Sequence, residues 1–178
     1  MPTLRKATHA DIPALRELIA RSARGLSADY RPEQVEGALR GAFGVDSQLL
    51  TDETYFVVED AGQIAGCGGW SFRSTLFGGD ARAGRDASIL DPKTQRAKIR
   101  AFFVDPGHAR RGIGSLLLDH CENEARAHGY AGVELMATLP GAKLYAARGY
   151  VASPLVHVEV GSGESIQFIP MHKALVAP

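Results

Sequence analysis

Phe102-Phe103-Val104-Asp105-Pro106-Gly107-His108-Ala109-Arg110-Arg111-Gly112-Ile113-Gly114-Ser115 runs from an apolar, strand-like segment through a basic turn into a helical pattern that opens on Leu116-Leu117-Leu118. Phosphate binding calls for these residue types in this order. Glycines let the backbone turn tightly and approach a ligand closely. The N–H groups of a first helical turn point at an anion with the helix dipole behind them. Arg110 and Arg111 add positive charge at the mouth. Two familiar nucleotide loops fail on spelling. A Walker-type loop needs a lysine after its last glycine, and none follows Gly112 or Gly114; a dinucleotide fingerprint needs a small residue where Leu117 stands.

The surrounding elements have the order that such a loop requires. Lys98 to Val104 reads as a strand, and the helix after Gly112 carries Ile113, Leu117 and Cys121 on one stripe before Gly129 stops it. Upstream, Thr3 to Lys6 is a first strand, and Thr8 with Asp11 resembles a capping pair for a helix carrying Ile12, Leu15, Leu18 and Ile19. A second helix starts near Pro32 with Val35, Leu39 and Phe43 on one face. Tyr55 to Glu59 and Gln63 to Phe72 form a hairpin about Asp60-Ala61-Gly62. Residues 73–96 have no periodicity, so they are read as a long irregular loop, either solvated or gating a substrate. Gly132 to Ala137 is a further strand, Ala142 to Arg148 a short helix, and Val151 to Val160 with Glu164 to Lys173 a closing strand pair. The expectation is a single α/β (α+β) domain over residues 1–178.

Composition narrows the class without naming a function. The chain has 178 residues, with 20 Lys plus Arg against 20 Asp plus Glu, so no global basic field argues for nucleic acid. The two cysteines, Cys67 and Cys121, read as buried free thiols. His120 and His128 lie on one predicted helix without a carboxylate pattern suited to zinc, and no metal is expected. The amino terminus has no charged-then-apolar signal and no apolar run approaches the roughly 20 residues that span a bilayer, which sets a cytoplasmic protein without membrane contacts as the expectation.

Val104-Asp105-Pro106 followed by Arg110-Arg111-Gly112-Ile113-Gly114-Ser115 resembles the acetyl-CoA-binding motif of the GCN5-related N-acetyltransferase (GNAT) family. Leu144-Tyr145-Ala146-Ala147-Arg148-Gly149-Tyr150 resembles that family's later Leu-Tyr…Gly-Phe/Tyr segment, in the same order along the chain. The resemblance implies a mixed, mostly antiparallel central sheet of about seven strands with helices on both faces, whose fourth and fifth strands splay apart. It implies acetyl-CoA as co-substrate, with pantetheine held along the main chain of Phe102, Phe103 and Val104 and the pyrophosphate on the amides from Arg110 to Ser115 (Arg110, Arg111, Gly112, Ile113, Gly114, Ser115). Tyr145 would stand near the sulfur as a hydrogen-bond donor. Thr138 stands where many members carry an asparagine that reaches cofactor or substrate, and Ala109 where the family often has Gln or Arg.

The implied activity is acetyl transfer to a primary amine of a small molecule or peptide by direct attack in a ternary complex. The strand Lys98-Ile99-Arg100-Ala101-Phe102 lacks the glutamate that family members often use as base, which leaves Glu134, His157 and Glu159 as candidates. Trp70, Phe72 and Tyr30 are candidate linings of the acceptor pocket. A backbone N–H near Phe103 or Val104 would polarise the thioester oxygen. The missing glutamate and the altered asparagine position also allow a non-catalytic acyl-CoA-binding or sensing module. A homodimer through the terminal strands is compatible with the resemblance.

Overall fold

The computed structural model describes residues 1–176, in which runs of helices and runs of strands follow one another. The chain runs β1 (Thr3–Lys6), α1 (Ile12–Leu26), α2 (Pro32–Ala38), α3 (Ser47–Thr51), β2 (Tyr55–Asp60), β3 (Gln63–Ser71), β4 (Ala97–Val104), α4 (Ile113–Ala127), β5 (Gly132–Thr138), α5 (Ala142–Ala147), β6 (Val151–Ala152), β7 (Val156–Gly161) and β8 (Glu164–Ala174). All eight strands join one sheet in the order β1-β2-β3-β4-β5-β8-β6, with β7 also on β8. The sheet is antiparallel except where β4 meets β5. Helices cover both faces, as the resemblance implied.

Burial explains the layers. Tyr55, Phe56, Val57 and Val58 of β2 are all buried, the unbroken apolar run of a strand covered on both sides. One core joins α4 and α5 to the sheet through residues such as Leu117, Leu118, Cys121, Trp70 and Tyr145. The other joins α1, α2 and α3 through Leu15, Leu18, Val35, Leu49, Tyr55 and Phe168. Both cysteines are free and buried.

The hairpin turn forms at Ala61 and Gly62, both at positive φ (50° and 79°), the backbone that suits a two-residue loop between right-twisted strands. Three expectations need correction. The second helix ends at Ala38, short of Phe43, because the chain turns at Gly41, whose carbonyl accepts from the Gly79 N–H at 2.9 Å. A short helix at Ser47–Thr51 went unread, although Asp46 caps it by accepting from the Gln48 N–H at 3.1 Å. The closing strand Val151 to Val160 is broken at 153–155, where Pro154 has no N–H to give the ladder, so the sheet counts eight strands rather than about seven.

Residues 73–96 form neither helix nor named strand, but their ends are tied: Arg73 bridges Ile89, and the Leu90 N–H donates to Phe72 O at 2.8 Å. Arg73 also makes a two-point ion pair with Asp52, at 2.7 and 2.9 Å. The middle of the loop lies on residues 41–47 through Gly79 N–H to Gly41 O, Asp80 N–H to Val45 O and Ser47 N–H to Asp80 Oδ1, each 2.9 Å.

Candidate active site

β4 and β5 pair only at their beginnings, Ala97 with Val133 and Lys98 with Glu134, and then diverge. A bulge on β4 drives the divergence: Cys67 faces Phe103 while Gly69 faces Arg100, and Ala101 between them adopts φ 55°. The Ala101 carbonyl turns toward β3, where it accepts from the Tyr55 hydroxyl at 3.2 Å and the Cys67 thiol at 3.6 Å. The strand segment from Arg100 to Val104 is thereby left without a partner on its β5 side, and a cavity of about 790 Å³ occupies the split.

One end of the cavity is the glycine turn. Asp105 rigidifies its start, accepting from the Gly107 N–H at 3.1 Å, His108 Nδ1 at 2.9 Å and Arg21 Nε at 3.0 Å. The His108 contact, ahead of that from Arg21, holds the Asp105 carboxyl below its usual range. Gly112 precedes α4 at φ 82°, and Ile113, Gly114 and Ser115 follow as the first helical turn, with N–H groups that no intrahelical carbonyl can reach. Gly114 lets α5 approach closely: a Cβ there would stand 2.9 Å from Leu144 Cδ2, whose side chain would have to shift. A Gly112→Val variant meets no steric clash but must hold a left-handed backbone, a strain of about 1–2 kcal/mol. We expect it to weaken acetyl-CoA binding about tenfold in a calorimetric titration and to lower Tm by roughly 2–8 °C.

The helix α5, whose Leu144 packs on Gly114, also carries Tyr145. This tyrosine is 8% exposed, its ring edge meets Phe102 (centroids 6.4 Å) and Tyr150 (5.6 Å), and it faces the cavity. Burial, reinforced by nearby Cys121, pushes its pKa well above that of a free phenol, so the hydroxyl stays protonated and keeps a proton to donate in a hydrogen bond. Behind it, Tyr150 donates to Glu122 Oε2 at 2.9 Å and Lys173 Nζ donates to Glu122 Oε1 at 2.7 Å. This trio, with Tyr150 and Glu122 buried and Lys173 half-buried, fixes the ring on which Tyr145 leans; its members are far apart in sequence, and no spacing announces them.

Phe102, Phe103, Val104, Arg110, Gly112, Ile113, Gly114, Ser115, Thr138 and Tyr145 all line the cavity. Arg111 does not, and its guanidinium turns toward Asp60 at 3.7 Å. The Thr138 hydroxyl accepts from the Gly141 N–H at 3.0 Å, so it positions the start of α5. The Val104 N–H donates to Ser22 Oγ at 3.2 Å, and that hydroxyl also lines the cavity.

The three candidate bases stand elsewhere. Glu134 is engaged by Lys98 and, at 3.7 Å, by Arg96; His157 and Glu159 occupy the exposed face of β7. Trp70 is fully buried against α4, where its Nε1 donates to Glu124 Oε2 at 2.8 Å. Phe72 stacks on Trp70. Tyr30 is occupied with Gln167 O (2.6 Å) and the Leu139 N–H (2.9 Å). None of the six lines the cavity, whose aromatic wall is instead Phe43, Phe77, Phe102, Phe103, Tyr145 and Phe168. No His, Cys, Asp and Glu cluster suited to a metal occurs among the described residues, and none of their helices is long and apolar enough to cross a membrane.

The cavity suits acetyl-CoA: an unpaired strand edge, a helix N-terminus with free amides, and a buried phenol donor lie along one continuous split. Comparisons with known proteins bear on the fold and the family. A GCN5-related N-acetyltransferase from Rhodopseudomonas palustris superposes with a TM-score of 0.72 at 23% identity, over 98% of this chain and 96% of that one. The PaiA N-acetyltransferase of Thermoplasma acidophilum, in complex with coenzyme A, gives 0.66 at 15% identity, covering 98% and 99%. The ribosomal-protein-S18-alanine N-acetyltransferase of Escherichia coli gives 0.64 at 16%, covering 100% and 96%. These likenesses carry the fold. No curated protein matches the sequence. The acetyltransferase (GNAT) family model matches residues 13–150, and on that match the chain belongs to the GNAT acetyltransferase family.

Proposed function

We propose that the protein is an N-acetyltransferase that carries an acetyl group from acetyl-CoA to a primary amine by direct attack within a ternary complex. The observation that carries this reading is the β4–β5 split, which joins the glycine turn and the Tyr145 hydroxyl through a single cavity. The amides of Ile113, Gly114 and Ser115 receive the pyrophosphate, with Arg110 adding charge. The open edge of Phe102, Phe103 and Val104 pairs with pantetheine.

Bound acetyl-CoA supplies the thioester carbonyl that the amine attacks. The Val104 N–H, once Ser22 releases it, polarises the carbonyl oxygen, and the cost of breaking that hydrogen bond is set against its contribution to the barrier. Tyr145 donates a hydrogen bond to the departing thiolate and keeps its own proton, since a thiol with pKa about 8.5 is a stronger acid than a phenol with pKa about 10 even before burial widens the gap. The partner is a small-molecule or peptide amine.

Thiol release measured with acetyl-CoA and pooled primary amines tests this reading. Acceptor-dependent release supports transfer, whereas tight acetyl-CoA binding without release across the pool identifies a sensing module in which Tyr145 only packs.

A further inference from the structure

The cavity passes through the sheet, and its two ends differ in chemistry. On the α4–α5 side the wall carries Arg110, Lys143 and His108 beside the glycine turn. On the other face it is built from Phe43, Phe77, Phe103, Phe168, Leu76 and Met136. The four phenylalanines form one continuous cluster, with ring centroids 5.8 Å apart for Phe43–Phe103, 6.0 Å for Phe43–Phe168 and 5.6 Å for Phe77–Phe168.

Charge is arranged around this face in a particular way. Arg100 borders it, but its guanidinium is committed to buried Asp46 and to Gly78 O at 2.6 Å. Arg85 shares both partners, at 3.3 Å from Asp46 Oδ2 and 3.1 Å from Gly78 O. Arg82 stacks over the Phe77 ring at 4.0 Å without lining the cavity. Asp29, exposed, is the one carboxylate among the described residues of the wall.

We propose, resting on the transferase reading above, that the acceptor is a monoamine on an apolar, ring-sized body without an acidic group, seated against the Phe43–Phe77–Phe103–Phe168 cluster. Asp29, at the exposed rim, attracts an ammonium during approach, and the rings take up the apolar body. Among the residues that line this face a carboxylate on the acceptor meets no uncommitted cation, Arg82 stacking on Phe77 outside the lining, and a polyamine would bury further charges that a single exposed carboxylate cannot match.

The same seat accounts for a site without an adjacent base. An ammonium moved from water onto aromatic walls is penalised in its charged form, so its pKa falls and the neutral amine is reached by losing a proton to water at the mouth. The nitrogen then forms its bond to the acetyl carbon as the carbon–sulfur bond breaks; the second amine proton passes through solvent to the thiolate, giving amide and free thiol.

Steady-state thiol release with 2-phenylethylamine, spermidine and L-glutamate as acceptors, alongside calorimetric acetyl-CoA binding, tests the inference. We expect kcat/KM for phenylethylamine to exceed the other two by about 30-fold or more, and its kcat to rise with pH through an apparent pKa below that of the free amine. Phe77→Ala should raise the phenylethylamine KM about tenfold with acetyl-CoA affinity unchanged, and Phe77→Leu, which keeps bulk but loses the ring, should raise it less. Turnover of spermidine or glutamate that matches or exceeds phenylethylamine overturns the inference while leaving the transferase standing. Failure of phenylethylamine to react while acetyl-CoA binds also overturns it. Loss of acetyl-CoA binding in the native protein removes the transferase reading itself, and this inference with it.

Discussion

Replacing Tyr145 by phenylalanine should lower kcat about 10- to 100-fold and leave acetyl-CoA affinity within about twofold. The ring's contacts with Phe102 and Tyr150 survive the change, so packing and cavity shape persist. Only the hydroxyl is removed. A hydrogen bond to a charged acceptor contributes about 1.5–3 kcal/mol, and this one forms fully only as the thiolate develops, so its loss falls on the barrier. The raised pKa of this phenol also predicts that its ionisation leaves no mark on the pH profile near neutrality. Steady-state kinetics with calorimetry separates the two quantities; an unchanged kcat would mean that Tyr145 merely fills space.

Asp46→Ala should cost about 3–5 kcal/mol of folding stability, the largest effect expected of any single change outside the hydrophobic cores. Asp46 is fully buried and meets both Arg100, itself 4% exposed, and Arg85. Desolvation already presses the Arg100 pKa downward, with Asp46 as the chief counterweight. Removing the carboxylate leaves two guanidinium groups sharing Gly78 O, with the more exposed Asp80, 3.4 Å from Arg85, as the remaining counter-charge. The cap on α3 goes as well. For a chain of this length the loss corresponds to a fall in Tm of roughly 6–20 °C. Because Gly78 neighbours Phe77, the acceptor wall should loosen too, raising acceptor KM before acetyl-CoA affinity changes. Denaturant and thermal unfolding measure the first effect, and a loss under 1 kcal/mol would show that the ion cluster is dispensable.

Most of the sheet and the glycine turn at one end of the cavity could be read from the chain because their signals are local. Glycine at Gly112, apolar periodicity through Leu117 and Cys121, and the turn at Ala61-Gly62 act over a few residues, and each appears where its pattern places it. The acceptor end could not be read this way. Phe43, Phe77 and Phe168 meet across long stretches of chain, and Arg100 finds its carboxylate 54 residues upstream; nothing in their own neighbourhoods marks the pairing. Strand alternation gave Trp70 and His157 a face but not an outlook: Trp70 turns to α4 and His157 away from the cavity. The bulge at Ala101 belongs to the same class, since a non-glycine residue at φ 55° is imposed by its partners on β2 and β3 rather than by its own type.

Amide hydrogen exchange with and without acetyl-CoA addresses the central claim most directly, because the proposed contacts are backbone N–H groups at known positions. Binding in the β4–β5 split predicts slowed exchange at Phe102 to Val104 and at Ile113 to Ser115, with β1 and β7 unaffected. Binding without protection at either segment, or no binding at all, would contradict the placement of acetyl-CoA in this cavity and the transferase built on it.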